Sequence, residues 1–531
     1  MKKVVLVTAT QIDIGLRVIS SILKPGYSIR YLNISQVELS SNEIIYHEIL
    51  FFLRDADYVL ITTVDFRFDQ ISRLSDDLRS MYKTPVIMGG VHTMLYPEEC
   101  IQHCDAVCLG EADLVIKSLL DNWENRFKTL VPNFWYNSYD GIVKTKRLPL
   151  TKDIDNVPAP DYNTHEYYLA HSNKIINVEN EEHQIYEHHQ IGHSNTLVYN
   201  SDRGCPHSCS YCYNRNLKNI FGSKGYYRKK SIQNIIKELK DIVSIKDKSY
   251  IFLNLMNDDM ASRTDGELEL FADLYSHKIK LPFYCMVSPM KLTEKKLDSL
   301  VNAGCVELNV GIQTNEKTNI ALYNRRQTDG SIYKVSMLVS KYKESLSVFY
   351  DFIINNPAES DDSLLKTIKL IRNLSTPCDI VSHHLCLGKN TDLYNSFIEK
   401  GIIPYDDNKV CHSDFHDFDK HISDYAKNET FVENILIEWL SGPHNEIFQG
   451  RLYRAFNDFK NTPFIYSWSN GEGRLVELIN DFQLSETIDF FLKHLDFFKE
   501  RKDLIIKLNK ILPKVEYSNF VMKKYEVISY V

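Results

Sequence analysis

Arg203-Gly204-Cys205-Pro206-His207-Ser208-Cys209-Ser210-Tyr211-Cys212 puts three thiols on one short stretch, spaced Cys-x3-Cys-x2-Cys. Three thiolates can hold three irons of a [4Fe-4S] cluster and leave the fourth iron without a protein ligand, open to chemistry. The rival reading is a zinc or structural thiol site. Structural zinc sites close with four ligands, and no second Cys pair or matching His pair stands at finger-like spacing.

Around this run the chain reads as a series of βα units. Apolar strands are expected at 197–200, 250–255, 282–287, 306–311, 348–354 and 380–386, with helical patterns between them. In barrels built from such units, active residues stand at the carboxyl ends of the strands. The cysteines follow the first strand, and Asn257-Asp258-Asp259 follows the second. Upstream, strands at 4–9, 29–33, 58–62, 85–88 and 105–109 alternate with helices, as in a doubly wound parallel sheet. Ligands of such sheets bind beyond the carboxyl ends of the strands. Those ends carry Thr10, Thr62, Gly89, Gly90, His92, Gly110 and Glu111. The paired glycines let backbone approach a bulky ligand, or simply make a tight turn.

The cysteine motif, with an aromatic residue directly before its third Cys, resembles the signature of the radical S-adenosylmethionine (SAM) enzymes. That resemblance implies cluster ligation by Cys205, Cys209 and Cys212, with SAM chelated at the free iron and cleaved to a 5′-deoxyadenosyl radical that removes hydrogen from unactivated carbon. It also implies SAM contacts from Tyr211 near the adenine, from Asp258 in the acidic pair, and from Glu307 and Gln313 at ribose or methionyl groups. Arg325 would meet the SAM carboxylate, a role open also to Arg326. An arginine there offers a planar donor fork. Each of these residues alone could equally be an ordinary surface or capping group.

Further motifs sharpen the resemblance. Met88-Gly89-Gly90-Val91-His92, Pro97-Glu98-Glu99, Asp105 and Gly110-Glu111 look like the N-terminal cobalamin-binding domain of one large branch of these enzymes, and 153–162 is similar to the linker that follows it. The resemblance implies cobalamin contacts from Thr10, Thr62, Gly89, Gly90, His92, Gly110 and Glu111. No Asp-x-His-x-x-Gly sequence occurs, so cobalamin is expected base-off, without a lower His ligand. The turn Leu387-Gly388-Lys389-Asn390-Thr391 departs from the Pro-Gly-Thr order of the branch.

The expected fold class is therefore α/β: a Rossmann-like cobalamin-binding domain at 1–148, a linker or lid at 149–195, a partial (βα)6 radical SAM barrel at 196–400 and a helical C-terminal domain at 401–531. The reaction expected from the resemblance is methylation of an unactivated carbon. Oxidative rearrangement, ring contraction or cyclisation is the alternative with the same cofactors, and a non-catalytic iron-sulfur sensor is the alternative of another class. A sulfur-inserting tRNA enzyme would bring further cluster cysteines upstream, which are not evident.

Composition agrees with an enzyme of this kind. Hydrophobic residues at 44% and charged residues at 25% match a globular protein, and 531 residues suit several domains. The net charge of −8 speaks against a nucleic-acid-coating protein. No apolar run is long enough to cross a bilayer and no secretory segment is evident, so a cytoplasmic location is expected, with no membrane partner. The expected partners are a small-molecule or peptide substrate and a reductant such as flavodoxin or ferredoxin. Cys100, Cys104 and Cys108 recur every four residues, and buried structural thiols are favoured there over a second cluster. The His-rich tract with His183, His188, His189 and His193 reads as a solvated connection rather than a metal site.

Overall fold

The structure, a computed structural model, describes residues 1–403 apart from 11–12, 65–66, 164, 179–195, 246–249 and short breaks between 355 and 377. The expected helical C-terminal domain, Cys411 and the His-rich tract thus lie outside the described residues.

The first sheet contains β1 (Lys3–Thr8), β2 (Ser28–Asn33), β3 (Tyr58–Thr62), β4 (Val86–Gly89), β5 (Ala106–Cys108), β6 (Phe134–Ser138), β7 (Gly141–Lys144), β8 (Tyr167–His171) and β9 (Lys174–Asn177). Its order is β7-β6-β5-β4-β3-β1-β2-β8-β9. The strands β1 to β5 pair in parallel, and β1 is an almost unbroken apolar run because both of its faces are covered. Val5 and Val7 enter one core, and Val4 and Leu6 enter the core on the other face. The order reverses at β1, so the adjacent loops converge at a topological switch point.

Two hairpins extend the five expected strands. The pair β6 and β7 adds antiparallel to β5, and β8 and β9 add beside β2. The segment 167–177 therefore belongs to the first sheet, rather than to a linker or lid. The polar residues that follow mask a short apolar strand in which Tyr167, Leu169 and Ala170 are buried. Cys100, Cys104 and Cys108 are buried at 0%, 0% and 4% exposure, with the Cys104 thiol donating to the Cys100 carbonyl, as expected of core thiols.

The second sheet contains β10 (Thr196–Tyr199), β13 (Phe252–Leu255), β14 (Phe283–Val287), β15 (Cys305–Gln313), β16 (Ser347–Ile354) and β17 (Asp379–His384), all parallel and adjacent in chain order. Between β10 and β13 a small antiparallel pair, β11 (Asp202–Arg203) and β12 (Arg228–Lys229), brackets the cysteine stretch. Leu253, Leu255, Cys285, Leu308, Val310 and Ile312 point outward into one core beneath the helices. By strand alternation Asn254, Tyr284, Glu307, Asn309 and Asp351 face the lumen. Helix ends are specified locally: Thr264 and Glu267 form a capping box at the helix Asp265–Lys278, and Gly304 closes the helix Glu294–Ala303 in the left-handed conformation.

Candidate cofactor sites

The cysteine loop is shaped by its first glycine. Gly204 has φ +75°, and a Cβ there would stand 2.5 Å from the carbonyl oxygen of Tyr226. The loop is then stitched down on several sides. Ser210 donates its backbone N–H to the Tyr323 carbonyl at 3.1 Å and accepts from Leu393 N at 3.0 Å. His207 Nε2 meets Asp259 Oδ2 at 2.8 Å, and the same carboxylate accepts from Ser288 N at 3.0 Å. Cys212 caps the helix Tyr213–Phe221, so its sulfur stands at a helix N-terminus, where negative charge is favoured.

All three thiols are free. Burial pushes the Cys205 thiol up to about 12, with the Asp258 carboxylate adding to the effect, and burial also raises Cys212. Iron in place of the proton relieves that cost, since metal ligation deprotonates a thiol. Among the described residues no three His, Cys, Asp or Glu side chains are grouped to hold a single metal ion. A [4Fe-4S] cluster takes each cysteine sulfur on a separate iron. The donor set fits the cluster.

Beyond the strand ends of the first sheet lies a cavity of about 460 Å³. Thr10, Thr62, Gly89, Gly90, Gly110 and Glu111 all line it. Gly90 has φ +104°, and a Cβ there would stand 2.9 Å from the Thr63 carbonyl. Thr63 itself is 1% exposed, and its hydroxyl on the cavity wall has no hydrogen-bond partner. A mostly apolar cleft with an unsatisfied hydroxyl and a close-set glycine backbone suits a large ring bearing amide arms.

Two residues depart from expectation. His92 is not among the lining residues; its buried ring lies 4.4 Å from Phe68 and 4.9 Å from Tyr96 between ring centroids. It sits on a helix beneath the glycine turn, where packing takes the ring away from the edge. Glu111 does line the cavity, but its carboxylate meets Arg228 at 2.8 Å and Arg203 at 3.1 Å. The cavity also holds a carboxyl not anticipated from sequence. Asp13 accepts from Thr62 Oγ1 at 2.5 Å and from Leu16 N at 2.8 Å. Burial raises its pKa against the pull of those hydrogen bonds.

The sequence matches the family model of the Radical SAM superfamily over residues 199–371 and that of the B12 binding domain over residues 3–120. It is 24% identical over 370 residues to the bacteriochlorophyllide d C-8(2)-methyltransferase of Chlorobaculum tepidum, covering 68% of this chain and 73% of the relative. The C-12(1)-methyltransferase of the same organism is 21% identical over 319 residues, covering 57% of this chain and 61% of the relative. In fold the chain is similar to the radical SAM methyltransferase TsrM from Kitasatospora setae, solved with cobalamin and a [4Fe-4S] cluster. The TM-score is 0.57 at 14% identity, covering 75% of each chain. The chain belongs to the cobalamin-binding radical SAM enzymes. Its cofactors are a [4Fe-4S] cluster, SAM and cobalamin.

In this radical SAM enzyme the expected SAM contacts separate into those near the cysteines and one that is not. Arg325 is buried and donates from Nη1 to Cys209 Sγ at 3.4 Å and from Nη2 to the Gly311 carbonyl at 2.9 Å; its Nε has no partner. Arg326 is exposed, so geometry favours Arg325 of the two. The Tyr211 ring meets Tyr323 edge-on at 5.0 Å. Asp258 accepts from Asn214 at 3.4 Å, and Asn214 also reaches Cys212 Sγ at 3.7 Å. Burial raises the pKa of Asp258 although the residue stands open at the barrel mouth. Gln313 ends β15 with φ +75° on the same rim. Glu307 lies six residues earlier on that strand, about 20 Å from Gln313 along its axis. The lumen face brings Glu307 beside Tyr284 instead, near the opposite end of the barrel.

No local motif marked Asn214 or Asn254. Asn254 is 1% exposed and both of its amide atoms lack partners. A lone polar residue within an apolar strand was the signal that could have found it. Among the described residues no helix is long and apolar enough to cross a membrane.

Proposed function

We propose that this enzyme methylates an unactivated carbon of a small molecule. The observation that carries this reading is that the corrinoid cavity and the cysteine loop share a wall: Asn200, Ser201, Asp202 and Arg203 line the cavity, and Cys205 follows two residues later. When bound, the cluster with SAM supplies a carbon-centred radical and cobalamin supplies a methyl group. A substrate held between the two sites needs no large movement between losing hydrogen and gaining methyl. The names of both Chlorobaculum relatives, methyltransferases acting at C-8(2) and C-12(1), support transfer to carbon.

The protein's own share is placement and exclusion of water. Arg325 offers its free Nε and its charge beside the cysteine loop, suited to a carboxylate of SAM. Tyr211 presents an aromatic edge next to the third cysteine. The lumen offers a substrate hydrogen-bonding groups at Tyr284 and Asn309, and an Asp351–His383 pair with Nε2 and Oδ1 3.5 Å apart. We place Cys205, Cys209 and Cys212 as the cluster ligands, with Thr10, Thr62, Gly89, Gly90 and Gly110 as the cobalamin wall. A low-potential reductant of the flavodoxin or ferredoxin kind would supply the electron.

The test is protein produced anaerobically with cobalamin, reduced and given SAM and candidate substrates, with bacteriochlorophyllide d first. Methyl transfer gives a product heavier by one methylene, together with equal amounts of S-adenosylhomocysteine and 5′-deoxyadenosine. 5′-Deoxyadenosine without S-adenosylhomocysteine, alongside a product that has gained no methyl, would replace this reading by rearrangement or cyclisation. Failure to cleave SAM after reduction would point to a sensor.

A further inference from the structure

The short pair β11 and β12 carries an electrostatic problem that its own domain does not solve. Arg203 and Arg228 stand directly opposite each other in the antiparallel register. Like charges in that position repel. Two acidic side chains of the first domain, on the loop after β5, neutralise them. Glu111 puts Oε1 3.1 Å from Arg203 and Oε2 2.8 Å from Arg228. Asp113 takes Arg203 in a two-point contact, Oδ2 to Nη1 and Oδ1 to Nη2, the latter at 3.2 Å. The carboxylates are well shielded, with side chains 13% and 7% exposed, and Arg228 is 8% exposed. Paired charges at that depth hold geometry tightly, and removing one partner leaves the other unpaired.

The neighbouring residue, Asp202, also borders the cavity but takes its charge partner from the barrel: it accepts from Tyr227 at 2.7 Å and from the fully buried Arg263. Adjacent residues at the root of the cysteine loop are therefore gripped by different domains. Glu111 and Asp113 also stand on the corrinoid cavity wall, as does Arg203.

We infer that Glu111, Asp113, Arg203 and Arg228 form a positioning clamp that sets the separation between the corrinoid cavity and the iron-sulfur loop. The clamp ties the loop after β5, one wall of the cavity, to a point two residues before the first cluster cysteine. Other contacts join the two domains, including Asp155 to the backbone N–H of Ser231 at 2.8 Å and the Tyr96 hydroxyl to the Lys389 carbonyl, but neither of these grips the root of the cysteine loop. The clamp holds the reacting loop itself. This inference rests on the two-cofactor reading of the site and not on which product forms.

The test is the distance between the two paramagnets in protein loaded with cob(II)alamin and a reduced cluster, read by pulsed electron paramagnetic resonance. Variants Asp113→Asn and Glu111→Gln keep side-chain volume and remove charge, while Asp113→Glu keeps the charge. The expected result is unchanged iron and corrinoid content, with a distance distribution broadened in the two neutral variants and restored towards wild type in Asp113→Glu. The ratio of 5′-deoxyadenosine to product should rise several-fold in the neutral variants, because the radical is then formed with the methyl donor misplaced. Unchanged distributions in both neutral variants would overturn the proposal. Loss of corrinoid with the cluster intact would overturn it too, since it would make these carboxylates cofactor contacts. Should Asp113→Asn fail to fold, Glu111→Gln carries the same readout. Wild-type protein that loads both cofactors but gives no methylated product would remove the proposed reaction and leave the distance measurement as the judge of the clamp.

Discussion

Arg325 donates from Nη1 to Cys209 Sγ at 3.4 Å and so ties the loop after the helix Glu316–Ala321 to the middle cysteine of the cluster motif. The same guanidinium reaches the Gly311 carbonyl at 2.9 Å and leaves Nε unused. A lysine places one point charge where arginine places a fork, so Arg325→Lys cannot serve all three directions. Hydrogen bonds to charged groups contribute about 1.5–3 kcal/mol, so the variant should lose roughly 10- to 100-fold in apparent SAM affinity. Iron content should stay near wild type. SAM-cleavage kinetics at constant iron occupancy will show whether the loss falls on KM, and a variant with unaltered KM would remove Arg325 from the SAM site.

Gly204 and Gly222 share a positive φ, at +75° and +88°, but differ in surroundings. A Cβ at Gly204 meets the Tyr226 backbone at 2.5 Å, whereas one at Gly222 meets nothing within 4 Å. Gly222→Ala should therefore cost only backbone strain, of order 1–3 kcal/mol. Gly204→Ala carries that strain plus a clash with main chain that cannot rotate away, so the cysteine loop must shift. Iron bound per chain after anaerobic reconstitution should fall sharply in Gly204→Ala and little in Gly222→Ala.

Gly89 and Gly90 offer a parallel contrast at the wall proposed for cobalamin. At Gly89 an added Cβ would have ordinary contact with Cys108 at 3.9 Å, while at Gly90 it would sit 2.9 Å from the Thr63 carbonyl at φ +104°. Gly90→Ala should lower the corrinoid retained after gel filtration while iron content is preserved. Gly89→Ala, whose Cβ meets no main chain, should lose less corrinoid. The visible spectrum and the iron assay read the two sites independently, and equal corrinoid retention in the two variants would contradict the placement of cobalamin against this turn.

Much of this architecture was legible because it is local. The parallel strands announced themselves as apolar runs, and Thr196–Tyr199 followed by the cysteines lies where the spacing put it. The β8 and β9 hairpin was missed because its strands are only five and four residues long, and the polar residues beyond them dominate the average over 165–195. Glu307 was misjudged because position along a strand, not membership of a motif, decides which end of a barrel a side chain serves. The choice between Arg325 and Arg326 needed the fold, since adjacent residues leave a loop in opposite directions. The contact between Asp113 and Arg203 spans ninety positions and has no local sequence trace.

Asp13 provides a test by pH. Its carboxyl is buried beside the cavity proposed for cobalamin, and burial raises its pKa although Thr62, Leu16 N and Thr8 all donate to it. In the unfolded chain an aspartate titrates near 4, so in the folded protein Asp13 holds its proton to higher pH. Folding then takes up a proton between the two values, and stability falls as pH rises across that window. The contribution is complete below about pH 4 and lost as pH climbs through the raised folded value. Asparagine still caps the helix Ile14–Leu23 and has no proton to lose. The melting temperature of wild type should therefore decline relative to Asp13→Asn as the buffer is taken from about pH 5 to about pH 8. Burial works on the charged form alone, so a difference between the two proteins that is flat over this range, or that grows in favour of wild type, would mean that the three donors outweigh desolvation and that Asp13 is ionised in the cavity wall.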